Sequence, residues 1–224
     1  ISLIEGNEIT KRVYNHSNGI LSKPSILHSK EFIISSGLHS LYSQTLRDCC
    51  NLKIFLDMDQ DLRKYLKIYR DTVIRGHDME KVIATIDKRK VDSEKYIMTQ
   101  LKYADLVFTL SYTDKLDQNY KELKPDSYKL TIKTKMSFSD QNIVNTLISK
   151  CGLCINCDNN TDYEVIEISG AASRENIAFA AQEIFKDIDD LLDIKPNWQS
   201  DMMGIMQIIT LSHIRQRLKQ RNIQ

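Results

Sequence analysis

The chain has 224 residues, 42% of them hydrophobic and 27% charged, enough apolar side chain for one large domain. Lysine and arginine number 31 against 30 aspartates and glutamates, and the formal net charge of +1 gives no general attraction to nucleic acid or to an anionic membrane. The seven glycines all lie more than ten residues apart and none precedes a lysine, which excludes from these residues a phosphate-cradling P-loop and a dinucleotide glycine fingerprint.

Residues 1–30 are polar and weakly periodic, with turn chemistry at Asn15, Asn18-Gly19 and Pro24. Phe32-Ile33-Ile34 predicts a short buried strand stopped by Gly37, and 52–56 predicts a second that closes on Asp57 and Asp59. Over 60–74, Leu62, Leu66, Tyr69 and Val73 recur at i, i+4, i+7 and i+11, one stripe of an amphipathic helix. Arg63, Lys67 and Arg70 share another face, and Gly76 stops the pattern. Residues 79–103 read as further helix and 104–110 as a third strand. Over 128–136, Leu130 and Ile132 alternate with lysines, as in a half-exposed strand. A helix is expected at 143–148 and an alternating strand at 163–168. A long helix over 172–192 carries the stripe Ile177, Ala181, Ile184, Ile188 and Leu191, with Ser173 near its start. Pro196 breaks the pattern before a last helix over 202–218. Strands separated by helices predict a layered α/β domain.

Cys49, Cys50, Cys151, Cys154 and Cys157 are an odd set with two adjacent members, a poor disulfide framework that suits a reducing, cytoplasmic compartment. The spacing of Cys151, Cys154 and Cys157 is one that iron–sulfur sites use. No fourth Cys or His follows at a ligand spacing, so structural thiols are expected and no metal site is assigned. No apolar run approaches the roughly 20 residues of a membrane span, and the first residues lack the layout of a secretion signal.

The densest polar chemistry is KIYRDTVIRGHD over 67–78. Lys67, Arg70 and Asp71 stand at i, i+3 and i+4 on one side of a helix end, and Arg75 follows four residues after Asp71. Two guanidinium forks and an ammonium before a glycine hinge suit a transferable phosphoryl group, whose oxygens they bind and whose developing charge they neutralise. The same spacing describes a solvated basic face in which Asp71 pairs with Lys67 and Arg75, and spacing alone does not separate the two.

Several further blocks stand in order along the chain. They are Tyr14-Asn15-His16 with Gly19, Gly37-Leu38-His39 with Tyr42, and Lys53-Ile54-Phe55-Leu56-Asp57. Then come Arg70-Asp71 with Arg75-Gly76-His77, Arg89-Lys90 with Asp92, Tyr96-Ile97 with Gln100, and Ala104-Asp105. Gly204, Gln207-Ile208-Ile209 and Ile214-Arg215 close the series. Together they resemble the phosphoribulokinase branch of the phosphoribulokinase/uridine kinase family, most clearly over 13–110.

The resemblance implies a three-layer, P-loop-kinase-like mixed sheet flanked by helices and lacking the N-terminal P-loop strand and helix. It implies one domain, with 1–110 as the substrate and lid region and 111–224 as the C-terminal strands and helices. The implied reaction moves the γ-phosphoryl group of ATP to a hydroxyl of a sugar phosphate (ribulose 5-phosphate-like) or of a nucleoside. Carried over by position, Arg70 and Arg75 would clamp the phosphoryl group and the nucleotide, and Asp71 would position that clamp or assist magnesium. Lys67 would contact substrate or phosphate, Tyr14, His16 and His39 would lie on the substrate side, and His77 would cap the lid hinge. ATP and Mg2+ are expected only with a missing N-terminal segment; the chain begins with Ile, so a fragment of a longer reading frame is expected. Neither nucleic acid nor membrane is expected as a partner, and the resemblance leaves room for a homo-oligomer. One departure stands out. Ser36 occupies the position where the family has Glu before the Gly37-Leu38-His39 block, and a neutral donor there removes charge neutralisation. That departure motivates the alternative of a catalytically degenerate kinase-like binding or assembly module.

Overall fold

A computed structural model describes residues 1–15, 18–117, 119–135, 141–159, 162–188 and 194–221. They form two compact units, Ile1–Asn51 and Leu52–Gln224.

The first unit contains two antiparallel ribbons. β1 (Ile9–Lys11) pairs with β4 (Ser25–Leu27), and between them β2 (Tyr14–Asn15) pairs with β3 (Ile20–Leu21). The turn of the inner ribbon needs a left-handed residue, supplied by Gly19 at φ +71, and the Asn18 side-chain oxygen accepts the Ile20 N–H at 3.1 Å. One short helix follows, α1 (Gln44–Asp48), with Ser43 as its cap. The strand expected at Phe32-Ile33-Ile34 does not form. Those residues are irregular and exposed. β-propensity is a preference for a half-buried pleated surface, and an apolar triplet without a paired neighbour has no such surface.

The second unit is built on a mixed sheet in the order β5-β6-β7-β9-β8. β5 (Ile54–Met58) and β6 (Leu106–Tyr112) are parallel, while β7 (Tyr128–Thr134), β8 (Cys154–Asn159) and β9 (Glu164–Ser169) join antiparallel. A parallel pair needs a long crossover. Here it comprises α2 (Gln60–Ile68), a π-helical turn (Tyr69–Ile74) and α3 (Met79–Asp92), then a second π turn (Ser93–Ile97) and a 3-10 turn (Met98–Tyr103). After β7 come α4 (Gln141–Cys151), then β8 and β9, then α5 (Arg174–Ile184) and α6 (Asp201–Arg221).

Strand alternation explains the layers. Leu106, Phe108, Leu130, Ile132, Ile166 and Ile168 enter one core cluster with Leu147 of α4, Ile177 of α5 and Ile205 of α6. Val107 is out of phase with Leu106 and Phe108 and therefore faces the other side. Val107 is buried outside that cluster, as are Leu62, Tyr65 and Ile68 of α2. The result is an α/β sheet flanked by helices.

Three further expectations change. The buried face of α2 is Leu62, Tyr65 and Ile68, not the Leu62, Leu66, Tyr69 and Val73 stripe. Tyr65 decides this: its hydroxyl donates to the Lys121 carbonyl at 2.8 Å and its ring packs on Tyr120. The helix expected over 172–192 ends at Ile184, because Phe185 leaves helical geometry at φ −115, ψ 77; Leu191 lies outside the described residues. β8 forms where no strand is expected. Cys154 and Cys157 sit three residues apart on β8 and so face opposite sides of the sheet, while Cys151 is buried at the end of α4. Burial pushes the Cys151 thiol up to about 11. Among the described residues, no helix is long and apolar enough to cross a membrane.

Candidate functional site

Asp59 caps α2 by accepting the N–H groups of Asp61 and Leu62 at 3.0 and 3.3 Å. The helix therefore starts at the carboxyl end of β5 and runs to Ile68, where the π turn takes over. Arg63, the first cation of the basic face, is used inside the fold. It pairs with Asp57 at the end of β5 and donates to the Met58 carbonyl at 2.8 Å. Lys53 and Asp105, from two blocks of the family resemblance, are likewise joined. The Lys53 backbone N–H donates to the Asp105 carboxylate at 2.9 Å, and its ammonium lies 3.3 Å away.

The remaining cations converge. Arg70 donates from Nε and Nη2 to the two Asp71 oxygens at 2.8 and 3.3 Å, and Arg75 donates from Nη1 to Asp71 Oδ1 at 3.2 Å. The Asp71 side chain is 13% exposed, while those of Arg70 and Arg75 are 50% and 54% exposed. One carboxylate thus gathers two guanidinium groups whose outer halves face solvent. Hydrogen bonding from Arg70 holds the Asp71 carboxyl below the usual carboxylate range, and the charges of Arg70, Arg75 and Lys67 act in the same direction. Gly76 at φ +70 reverses the chain beyond the turn. His77 is exposed, and its backbone N–H donates to the Asp71 carbonyl at 2.8 Å.

The other candidates belong to the first unit. Tyr14 is exposed on β2. His39 is exposed, with its ring edge-on to Tyr42 at 6.0 Å between centroids. His16 lies outside the described residues. Ser36 is exposed in irregular chain just before Gly37.

Sequence reasoning did not single out a cleft of about 420 Å3 lined by Asp59, Asp61, Leu62, Tyr112, Asp114 and Leu116. It opens where β5 and β6 end, the side on which open α/β sheets take ligands. Ser127 donates its hydroxyl to Asp114 at 2.5 Å. Three carboxylates at one mouth disfavour phosphate and suit a neutral, hydroxyl-bearing group. The only sequence signal was the run of acids from Asp57 to Asp61, since Asp114 arrives from a different strand end.

Among the described residues, no group of three or more His, Cys, Asp or Glu side chains could hold a metal ion. Asp71, the carboxylate nearest the arginines, already accepts bonds from both, so these residues alone do not make a magnesium site. The exposed N–H donors of Arg70 and Arg75 do fit the phosphate oxygens of a nucleotide.

The Phosphoribulokinase / Uridine kinase family model matches residues 1–117. The chain is 36% identical over 106 residues to a chloroplastic phosphoribulokinase of Mesembryanthemum crystallinum, covering 47% of this chain and 27% of that protein. It is 33% identical over 122 residues to a phosphoribulokinase of Synechocystis, covering 54% and 37%. It is 35% identical over 107 residues to a uridine kinase of Staphylococcus haemolyticus, covering 47% and 52%. The matched segment therefore spans between about a quarter and a half of these relatives' own lengths. The fold is similar to that of a phosphoribulokinase from Rhodobacter spheroides, with a TM-score of 0.55 at 19% identity, covering 84% of this chain and 67% of that one.

Proposed function

The chain belongs to the phosphoribulokinase/uridine kinase family, and from that premise we propose that it forms the acceptor and lid part of a kinase. The reaction moves the γ-phosphoryl group of ATP to a hydroxyl of a sugar phosphate or nucleoside. The convergence of Arg70 and Arg75 on Asp71 carries this reading. In the reaction, Asp71 holds both guanidinium groups at a fixed spacing. Their outward N–H donors bind the phosphoryl oxygens and stabilise the charge that develops as the group leaves ADP. Lys67, one helical turn before Asp71, adds a mobile ammonium to the same field. Tyr14, His16 and His39 contribute to acceptor binding, with 1–110 as the substrate and lid region and 111–224 as its support.

ATP brings the transferable group, and the magnesium that accompanies it requires ligands beyond those described. The phosphate-cradling loop likewise comes from outside these 224 residues, since their glycines cannot form one.

The test is phosphotransfer by the complete reading frame with MgATP, offered ribulose 5-phosphate and uridine separately. Turnover with one acceptor is expected, and Arg70→Ala and Arg75→Ala each lower kcat/KM by about 10²–10³. No turnover with either acceptor, or full activity in both arginine variants, removes this reading. Tight MgATP binding without turnover would instead favour the degenerate module that Ser36 suggests.

A further inference from the structure

The turn Tyr69–Ile74 is π-helical, and its closure differs from an ordinary helix end. The Arg75 N–H donates to the Arg70 carbonyl at 3.1 Å, five residues back rather than four. The Gly76 N–H reaches the Thr72 carbonyl at 3.1 Å and the His77 N–H reaches Asp71 at 2.8 Å. Both bonds are one residue wider than in the usual glycine-terminated helix, which closes 6→1 and 5→2.

The wider register bears on the arginines. In an α-helix, residues five apart point about 140° away from each other. A turn closed by bonds to the fifth residue winds more slowly, which brings residue i+5 closer to the direction of residue i. Arg70 and Arg75 are five apart, and both reach Asp71. Regular helix would turn Arg75 away from Arg70.

A side-chain bond lies where the register changes. The Thr72 hydroxyl donates to the Ile68 carbonyl at 2.7 Å. Such back-bonds to the fourth preceding carbonyl loosen and bend helices. Thr72 is half-buried, while its neighbours Val73 and Ile74 are exposed and anchor little. The buried face of α2 ends at Ile68, the residue whose carbonyl Thr72 holds, and the next buried side chain of the crossover is Val82.

We propose that Thr72 is a positioning residue: its hydroxyl holds Tyr69–Ile74 in π register, and that register sets both guanidinium groups on one face, ready for a phosphoryl group. The inference rests on the phosphate-binding role proposed above for Arg70 and Arg75. It adds the backbone register and the side chain that aim them.

Two substitutions separate the hydroxyl from the shape. Thr72→Val keeps the branched side chain and loses the hydroxyl; Thr72→Ser keeps the hydroxyl. On the 224-residue chain, NMR follows the exchange of the Arg70 Nε–H with water and the titration of the Asp71 carboxyl. Thr72→Val is expected to speed that exchange about tenfold and to move the Asp71 titration toward the ordinary carboxylate value, with Thr72→Ser matching the wild type. In the complete reading frame, Thr72→Val is expected to lower kcat about tenfold with the acceptor KM within about twofold, and Thr72→Ser to retain kcat. Wild-type exchange and titration in Thr72→Val overturn the proposal, as does a Thr72→Ser variant that behaves like Thr72→Val. Should Thr72→Val lose its folded amide spectrum, Thr72→Ala replaces it under the same two criteria. A wild-type reading frame without turnover defeats the kinase reading, and the NMR measurements still decide the register.

Discussion

Within Leu52–Gln224, Leu106, Leu130, Ile132 and Ile166 are closed off from solvent. Within Ile1–Asn51, Leu41 is the one buried apolar residue among those described, and Ile34 is 92% exposed. The strands of the first unit are two or three residues long, whereas those of the second run from five to seven. Yet the family match spans 1–117, taking in all of the sparsely packed unit and leaving most of the main core outside. The likeness of fold, at 19% identity, covers 84% of the chain. A core accepts many apolar sets of the right volume and pattern. A guanidinium aimed at an anion has no substitute of equal charge and shape. Sequence similarity is therefore concentrated in a stretch that leaves out most of the packed core, and fold similarity reaches further along the chain.

That contrast can be broken by substitution. The largest expected effect is in the second unit, where Leu130→Ala or Ile168→Ala costs about 2–5 kcal/mol in urea unfolding. Ile34→Ser, at an equally apolar position of the first unit, changes stability by less than about 0.5 kcal/mol. Similar losses from the two kinds of variant would show that 1–51 holds apolar contacts as strongly as the sheet does.

A smaller effect tests how closely the helices pack. A Cβ at Gly204 would stand 2.2 Å from the Gln199 carbonyl oxygen and 2.9 Å from Ile177 Cγ2. Gly204→Ala is expected to destabilise by about 1–3 kcal/mol, although alanine is the better helix former. A stabilised variant would mean that α6 can draw back from α5 at no cost.

The smallest effect is a pH dependence. His213 is buried; its Nδ1–H donates to the Ile209 carbonyl at 2.9 Å and its Nε2 lies 3.0 Å from the Thr134 hydroxyl. Burial lowers its pKa below the ordinary 6.5; Arg217 acts in the same direction, while the Ile209 bond, Asp105 and Glu164 oppose it. The unfolded chain then takes up a proton that the folded chain refuses. Stability is full above about pH 6.5 and falls with acidification below it, by less than about 1.4 kcal/mol per pH unit. Thermal unfolding between pH 7.5 and 5.5 checks this, and His213→Gln should flatten the slope relative to wild type. Equal slopes in the two proteins assign the loss to other groups. The depressed Asp71 carboxyl acts in a separate window, since its ion pairs are lost only as pH falls below the ordinary carboxylate range.

The sheet was partly legible in advance. Strands at 54–58, 106–112, 128–134 and 164–169 lie where apolar runs or alternation predict them. β8 was hidden because Asn156, Asp158 and Asn159 make an edge strand look like a turn. Phe32-Ile33-Ile34 misled in the opposite sense, being apolar without a partner. On α2 two stripes share Leu62, and only the meeting of Tyr65 with Lys121 and Tyr120 selects one of them. At the candidate site, Arg70, Asp71 and Arg75 were legible because they are neighbours in the chain. The loss of Arg63 to Asp57 was not, because that pair depends on where β5 ends.

The amino-acid sequence alone determined the chemistry on offer: arginines five apart before a glycine, a carboxylate between them, and no phosphate loop of its own. It also determined the alternation that buries one side of each central strand, because side-chain period and strand geometry are both local. The tertiary structure decided which stripe of α2 is buried, whether an apolar or polar run pairs, and which cation is spent inside the fold. Those outcomes depend on partners distant in the chain. It also decided that Arg70 joins Arg75 on one carboxylate: the spacing of Asp71 and Arg75 already pairs them on an α-helical wheel, whereas the neighbours Arg70 and Asp71 do not face each other there.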